Sequence, residues 1–404
     1  MSVDTPKKEE FTFSGETGEY FGIWFVNGLL IILTLGLYAP WAKVRKMTYF
    51  YSNTRLADNS FQFLATPMSI FKSHLIAGGL LVAFVVAEQF LGVYDAALVI
   101  YIAMFAVYLV VAPILLVSMM SFRLRNSAWR GIRFKFRRDY KWAYRVYLAP
   151  LVLFALLIAS IVLPFYSAGS EESVALEQET TAEMRVYDNE NAQPTVDEAM
   201  TPRIDKILFL PALIIGCLFV LLIPFFDFIN IRFLALNSHF GTAKVIFLAT
   251  AKDYYIVYSK WVCATIVLLI VWYAAIVFRE ALPNNSFFFL MILTMLYIPA
   301  SRAYLKARRY TLLFDNLIIG DGHRLRANIS FRSYFWLMMS NSVAIAISFG
   351  LLIAWAQIRT ARYFLDRTYL LANGNLDNFS AAQLEEINAL GEEISDAFGL
   401  ETVL

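Results

Sequence analysis

Ser127-Ala128-Trp129-Arg130-Gly131-Ile132-Arg133-Phe134-Lys135-Phe136 alternates apolar and charged residues beyond a glycine turn signal, the period-two pattern of a strand hairpin. Asn126 precedes it, and Pro113 stands thirteen residues before that asparagine. The same spacing occurs at Pro40/Asn53-Thr54 and Pro224/Asn237-Ser238, and a Phe follows each Asn by ten residues, at Phe63, Phe136 and Phe247. Phe63 to Thr66 and Phe247 to Thr250 share Phe-Leu-Ala-Thr. Self-similarity of this kind predicts one building block copied along the chain. Pro299 ends a further apolar run but lacks the Asn, and a partial copy recurs 314 positions on, pairing Asn27 with Asn341, Gly36 with Gly350, Trp41 with Trp355 and Arg45 with Arg359. Asp58-Asn59, Gly241 and Gly320-Asp321-Gly322 supply turn signals for the other hairpins. Each unit reads as helix, β-hairpin, helix; one hairpin alone is marginal in water, so several are expected to pair into a small sheet.

Hydrophobic residues make up 59% of the 404 and charged ones 16%, far from the roughly half apolar, quarter charged mixture of soluble domains. That composition predicts a membrane protein. Six runs are long enough to cross about 30 Å of hydrocarbon: 74–92, 96–121, 147–167, 206–230, 260–281 and 286–301. Segments 45–73, 122–146, 231–260 and 302–334 carry four, nine, four and seven Lys/Arg against one, one, one and two acids, which places all four in the cytoplasm. The stretch 168–205, with ten acids and two Arg, is then an outer loop. Runs 20–44 and 334–358 are interrupted at Leu35-Gly36-Leu37 and Phe349-Gly350-Leu351. Each is expected to enter and return on the cytoplasmic side, which backbone breaks at depth permit only where protein or a cavity shields them.

The expected fold class is thus an all-α polytopic membrane protein with small cytoplasmic β-hairpins: six transmembrane helices plus two re-entrant helical hairpins, built from parallel internal repeats. The units run 20–73, 74–146, 147–259, 260–333 and 334–370, with an acidic tail at 371–404. Both termini are expected in the cytoplasm. The tail opens with a Ser380/Gln383 capping box, places Leu384, Ile387, Leu390, Ile394 and Phe398 on one face, and is expected to dock on the basic hairpins.

Gly36-Leu37-Tyr38-Ala39-Pro40-Trp41-Ala42-Lys43-Val44-Arg45, Tyr49-Phe50, Asn53-Thr54-Arg55-Leu56, Arg125 to Phe134, and Trp355-Ala356 with Arg359 and Arg362-Tyr363 resemble the YjgN type of bacterial inner-membrane protein. The resemblance extends over nearly the whole chain. It implies a multi-span inner-membrane location and carries no activity or site residue.

No nucleophile, acid/base or metal constellation stands out. His74, His239 and His323 lack ligand spacing, Cys217 and Cys263 sit inside apolar runs, and Gly320-Asp321-Gly322 lacks the Lys-Ser/Thr of a phosphate loop. The chain is therefore expected to be neither an enzyme nor a holder of metal or cofactor, and nucleic acid is not an expected partner. Polar residues within apolar runs are the candidates for a substrate pathway: Asn27, Asn341, Glu88 and Asp227. Asn27 and Asn341 occupy equivalent positions and serve as helix glue or as a shared contact; Asp227 is expected to pair with a nearby Arg. Arg133, Lys135, Arg137 and Arg138 exceed what orientation requires and are candidates to hold anionic lipid head groups. The Asn-Ser/Thr dipeptides are read as helix ends that start the hairpins through local backbone hydrogen bonds. Two functions compete: a transporter or channel-like protein for a small substrate, or a non-transporting scaffold that binds anionic lipid.

Overall fold

A computed structural model of the chain describes residues 6–72, 94–162, 210–283 and 285–397, with isolated positions between 75 and 86. In chain order the elements are β1 Lys7–Phe13, α1 Thr17–Leu33, α2 Ala39–Ser52, β2 Thr54–Leu56, β3 Asn59–Phe63, α3 Tyr94–Arg125, β4 Ser127–Trp129 and β5 Ile132–Phe136. They continue as α4 Tyr140–Val162, then α5 Leu210–Leu236, β6 Ser238–Phe240, β7 Ala243–Phe247, α6 Ala251–Val277, α7 Ser286–Asp315, β8 Leu317–Ile319, β9 His323–Ala327, α8 Phe331–Ile347, α9 Ile353–Leu365, β10 Thr368–Ala372 and α10 Leu376–Ala397.

The ten strands form one closed antiparallel barrel in chain order, sealed by β1 against β10. This overturns the expected all-α class with small hairpins: the expected small sheet is instead a closed barrel that also takes in β1 and β10. The stretch Lys7-Lys8-Glu9-Glu10-Phe11-Thr12-Phe13, four charged residues followed by Phe-Thr-Phe, is a strand. Its first half pairs with β10, from Lys7↔Ala372 to Glu10↔Tyr369, and its second half with β2, from Phe11↔Leu56 to Phe13↔Thr54. The five-residue strands β3, β5 and β7 divide in the same way, each giving two residues to one neighbour and three to the other. That stagger is the shear a barrel needs to close, and closure removes every free strand edge. The parallel internal repeat is also not what organises the fold, because the strands make a single up-and-down meander that returns on itself.

Alternation along the strands sorts side chains between the two faces. Ile132 and Phe134 turn into the barrel while Arg133 and Lys135 are exposed outside. The interior is solid: Leu56, Trp129, Ile132, Phe240 and Leu370 pack with Phe11, Phe61, Phe134 and Leu325. Ring centroids lie 6.3 Å apart for Phe61–Trp129, 5.8 Å for Trp129–Phe240 and 5.2 Å for Phe134–Phe240. Tight turns close one end at Ala57-Asp58, Arg130-Gly131, Gly241 and Gly320 to Gly322, where positive φ angles put glycine at most positions. Against that end lies α10, with Phe379 stacked 5.9 Å from Phe240 and Gln383 Oε1 accepting from the backbone N–H groups of Thr242 and Ala243, both at 2.9 Å. Arg130 pairs with Asp377 at the start of the same helix.

At the opposite end the chain leaves and re-enters the barrel through helices. Four of the five helix-to-strand handovers use an asparagine cap: the Nδ2 groups of Asn53, Asn126, Asn237 and Asn316 donate to the carbonyls four residues back at 2.8–2.9 Å, while Arg367 stands at the fifth. The carbonyls of the same four residues accept N–H bonds from Ser14, Leu64, Arg137 and Leu248 and so extend the neighbouring strand. Helix termination and strand start are therefore one event. Asn316 belongs to this set although it follows Pro299 by seventeen residues rather than thirteen. The four extra residues amount to about one helical turn and leave the cap on the same helix face.

Five helices among the described residues are long and apolar enough to cross a membrane: Phe105–Arg125 within α3, α4, α5, α6 and α7. Their apolar windows are between 6 and 22% buried, so most of that surface faces outward. The sixth expected run, 74–92, lies largely outside the described residues. Pro113, Pro224 and Pro299 sit inside helices, whereas Pro40 opens α2, where a missing N–H costs no helical bond. The two interrupted runs are helical hairpins. Leu35 and Gly36 turn α1 into α2 with φ of 50° and 91°, and Phe349 and Gly350 turn α8 into α9 with φ of 49° and 91°. Leu35 is 95% and Phe349 97% exposed.

Candidate functional site

The two helical hairpins lie side by side, since β1 and β10 from which they spring are neighbours in the barrel. Their contact is built from aromatic residues that the strand ends place there: Phe13, Tyr20 and Tyr49 cluster with Ala354 and Ile358, and Tyr20 Oη donates to Gln357 Oε1 at 2.7 Å. Flanking α8 and α9 are two cavities, one polar and one apolar.

The more polar one, of about 610 Å³, is lined by Arg359, Arg362, Arg367 and Asp366 with Thr17, Ser333, Ser340 and Tyr363, and by the apolar Trp336, Leu337, Trp355 and Ile358. Three guanidinium groups there face a single carboxylate. Arg359 donates to Ser340 Oγ at 2.7 Å and to Asn341 Oδ1 at 2.9 Å, and lies 5.0 Å from the Trp355 ring. Arg367 stacks 4.0 Å from the Tyr363 ring, and Arg362 donates to the Gly15 carbonyl at 3.2 Å. A guanidinium carries five N–H donors in a rigid fork. The bonds of Arg359 both come from Nη1, which leaves the Nε and Nη2 side of the fork to meet an anion. Trp336, 64% exposed, lies beside these cations. An amphipathic indole next to guanidinium groups is the side-chain mixture that settles at a membrane–water boundary.

The apolar cavity, of about 540 Å³, lies between α2 and the other face of α8 and α9. Met47, Phe50, Leu337, Met338, Ile345, Ile353 and Ala356 form its walls, with Lys46 beside them.

Asn341 lines this second cavity, but both ends of its amide are used within its own hairpin. Nδ2 donates to Thr360 Oγ1 at 3.0 Å and to the Ala356 carbonyl at 3.4 Å, and Oδ1 accepts from Arg359. Asn27 is buried on α1 and its Oδ1 has no hydrogen-bond partner among the described residues. The equivalence read from sequence is therefore chemically broken. Arg359 reaches back to Asn341, whereas Arg45 lies 5.9 Å from the Tyr38 ring instead.

Asp227 is far from both hairpins in sequence and serves a different contact. On α5 it pairs with Arg309 of α7 and accepts from Tyr258 Oη of α6 at 3.0 Å, fastening three membrane helices together. Glu88 lies outside the described residues. Arg133 and Lys135 project from the outer barrel wall, and Arg137 and Arg138 occupy the link into α4, where Arg138 Nε donates to Ser121 Oγ at 3.1 Å. Lys135 stands beside His239, and His239 beside Lys244, in one row across β5, β6 and β7. Sequence reading gave Arg359, Arg362 and Arg367 no role beyond topology. Their spacing of three, five and eight residues was the available signal, because it brings 359, 362 and 367 toward one side of the chain where α9 passes into β10.

A family model described as a bacterial protein of unknown function, DUF898, matches residues 8–397. "Inner membrane protein YjgN" of Salmonella typhimurium is 29% identical over 153 residues, 37% of this chain and 38% of that protein. The proteins of the same name in Escherichia coli O157:H7 and in strain K12 are each 38% identical, over 74 and 73 residues, 18% of each chain. The aligned stretches thus span well under half the length of these relatives. No solved structure matches the chain.

Proposed function

The chain belongs to this family of bacterial proteins, and from that premise we propose that it is an integral inner-membrane protein that binds an anionic lipid head group in the arginine groove of its second helical hairpin. The observation that carries this reading is the groove itself: three guanidinium groups against one carboxylate, flanked by Trp336 and Trp355. Arg forks suit phosphate oxygens, and each cation near an anionic leaflet adds about 1 kcal/mol of attraction. In this reading the barrel, its tight turns and both described ends of the chain face the cytoplasm, while the acidic stretch 168–205, expected on the outer side, falls outside the described residues. In that pose Arg137 and Arg138, at the start of α4, meet the same anionic surface and reinforce the attraction.

A transporter for a small substrate is the second reading, favoured by the cavity at Asn341, Gln357 and Thr360. It has less support, because Asn341 already bonds to Arg359 and the barrel interior is filled with aromatic side chains.

The test is lipid analysis of the full chain in nanodiscs of mixed phosphatidylethanolamine and phosphatidylglycerol. The anionic lipid is expected to be enriched around the protein above its bulk fraction. Arg359→Gln with Arg367→Gln should abolish the enrichment, and Arg133→Gln with Lys135→Gln should reduce it less. Equal lipid composition in all three proteins would remove the reading.

A further inference from the structure

The apolar groove on the far side of α8 and α9 is walled by three helices, and its two ends differ in chemistry. One end, at Ile345 and Ile353, adjoins the Phe349-Gly350 tip. Lys46 marks the other. No charged residue occurs from 20 to 42 or from 333 to 358, so the slot runs beside the uncharged halves of both hairpins and stops where Lys43, Arg45, Lys46 and Arg359 begin. Leu35 and Phe349, almost wholly exposed at the tips, can be covered cheaply only by hydrocarbon. The slot therefore opens into the acyl layer, with its cation at the level of the head groups.

Its polar side chains do not ask for a polar occupant. Thr360 Oγ1 donates to the Ala356 carbonyl at 2.7 Å, Ser342 Oγ to the Met338 carbonyl at 3.0 Å, and Gln357 accepts from Tyr20. With Asn341 satisfied as well, most of the surface facing the slot is aliphatic and aromatic, with Lys46, the Gln357 amide nitrogen and the Tyr334 hydroxyl as its polar points. A cavity of about 540 Å³ falls within the range of small-ligand sites.

We propose that this slot holds one acyl chain of a membrane phospholipid, whose phosphate meets Lys46. The site is distinct from the arginine groove. It rests on the membrane placement of the hairpins and not on head-group binding at Arg359.

The experiment uses the full chain in nanodiscs that contain a trace of phosphatidylglycerol bearing a photoactivatable diazirine in mid-chain, with the labelled peptides mapped by mass spectrometry. Label is expected on slot residues of α2, α8 and α9. Ser342→Trp, which fills the slot from an exposed position on α8, should remove that label, whereas Arg367→Gln, whose side chain lines only the arginine groove, should leave it in place. If Ser342→Trp does not accumulate, Ala361→Phe fills the slot from the opposite wall with the same expected loss. Label confined to the tips at 35 and 349, or label in the slot undiminished by both filled variants, overturns the proposal. Loss of anionic enrichment in Arg367→Gln with slot labelling retained separates the two sites.

Discussion

Replacing Gln383 by Leu should loosen the tight-turn end of the barrel without disturbing the helices at the other end. Gln383 is 8% exposed, and its Oε1 accepts three bonds: from the N–H groups of Thr242 and Ala243 and from Thr242 Oγ1, at 2.9, 2.9 and 2.7 Å. Leucine keeps most of the volume and removes the acceptor. The Thr242 hydroxyl can rotate to another partner, but the two backbone donors are fixed and half enclosed by α10. A buried donor left unmade costs about 1–3 kcal/mol, and water entering at this rim keeps the pair toward the lower end, at about 2–4 kcal/mol in all. Amide hydrogen exchange in the β6–β7 turn reads that figure directly as local opening. At 1.4 kcal/mol per decade, exchange of residues 242–243 should accelerate roughly thirty- to several-hundred-fold. Gln383→Glu keeps the acceptor and gives it a charge suited to three donors, so it should preserve protection. Unchanged exchange in Gln383→Leu, or equal loss in both variants, would refute the view that this side-chain oxygen fastens α10 to the β6–β7 turn.

Asn126→Ala removes the Nδ2 bond to the Phe122 carbonyl and should cost about 1 kcal/mol in thermal unfolding of the detergent-purified chain. Asn126→Asp should cost more, since it turns an oxygen toward that carbonyl; equal stability of the two variants would argue against the cap. His323 is 2% exposed, its Nδ1 accepts from the Asn373 N–H at 3.1 Å, and burial holds its pKa below the ordinary 6.5. The unfolded chain therefore binds the extra proton first, so the stability from neutral His323 is complete above pH 6.5 and is lost as the pH falls toward the folded pKa. Melting curves should show a drop over that window that His323→Gln lacks. A single cysteine placed at Glu179 should react with an impermeant thiol reagent added outside intact cells, and one at Asn375 should not. Labelling at 375 would move the barrel to the other side of the membrane.

Much of the barrel was visible in the chain once each hairpin was seen as a pair of strands. Asp58-Asn59, Gly131, Gly241 and Gly320 to Gly322 mark the turns, and the alternation from Ile132 to Phe136 marks the inward face. The closure was not visible, because it depends on one strand at each end of the chain whose local pattern points elsewhere. Lys7 to Glu10 is four charged residues in a row, and only pairing with β10 makes it a strand. A register signal was nonetheless present. Phe63, Phe136 and Phe247 each pair with the residue just after the next asparagine cap, at Ser127, Ser238 and Leu317, and Phe13 pairs in the same way with Thr54. Reading Phe13 as the first of that series would have extended the sheet to the N-terminus. Asn316 escaped for a similar reason, since a spacing longer by one helical turn breaks a fixed-spacing search while preserving the geometry. The arginine groove was harder still. Arg359, Arg362 and Arg367 look like orientation charges, and their convergence with Trp336 and Ser340 arises only when α9 folds back against α8.

A density map of the full chain in nanodiscs containing phosphatidylglycerol would test the central claim most directly. It should show a closed ten-stranded barrel below the membrane and a phosphate-sized feature within hydrogen-bond reach of the free edge of Arg359 and of Arg367. An empty arginine groove beside a continuous water-filled passage through the helices and the barrel would contradict the lipid-binding reading and favour transport.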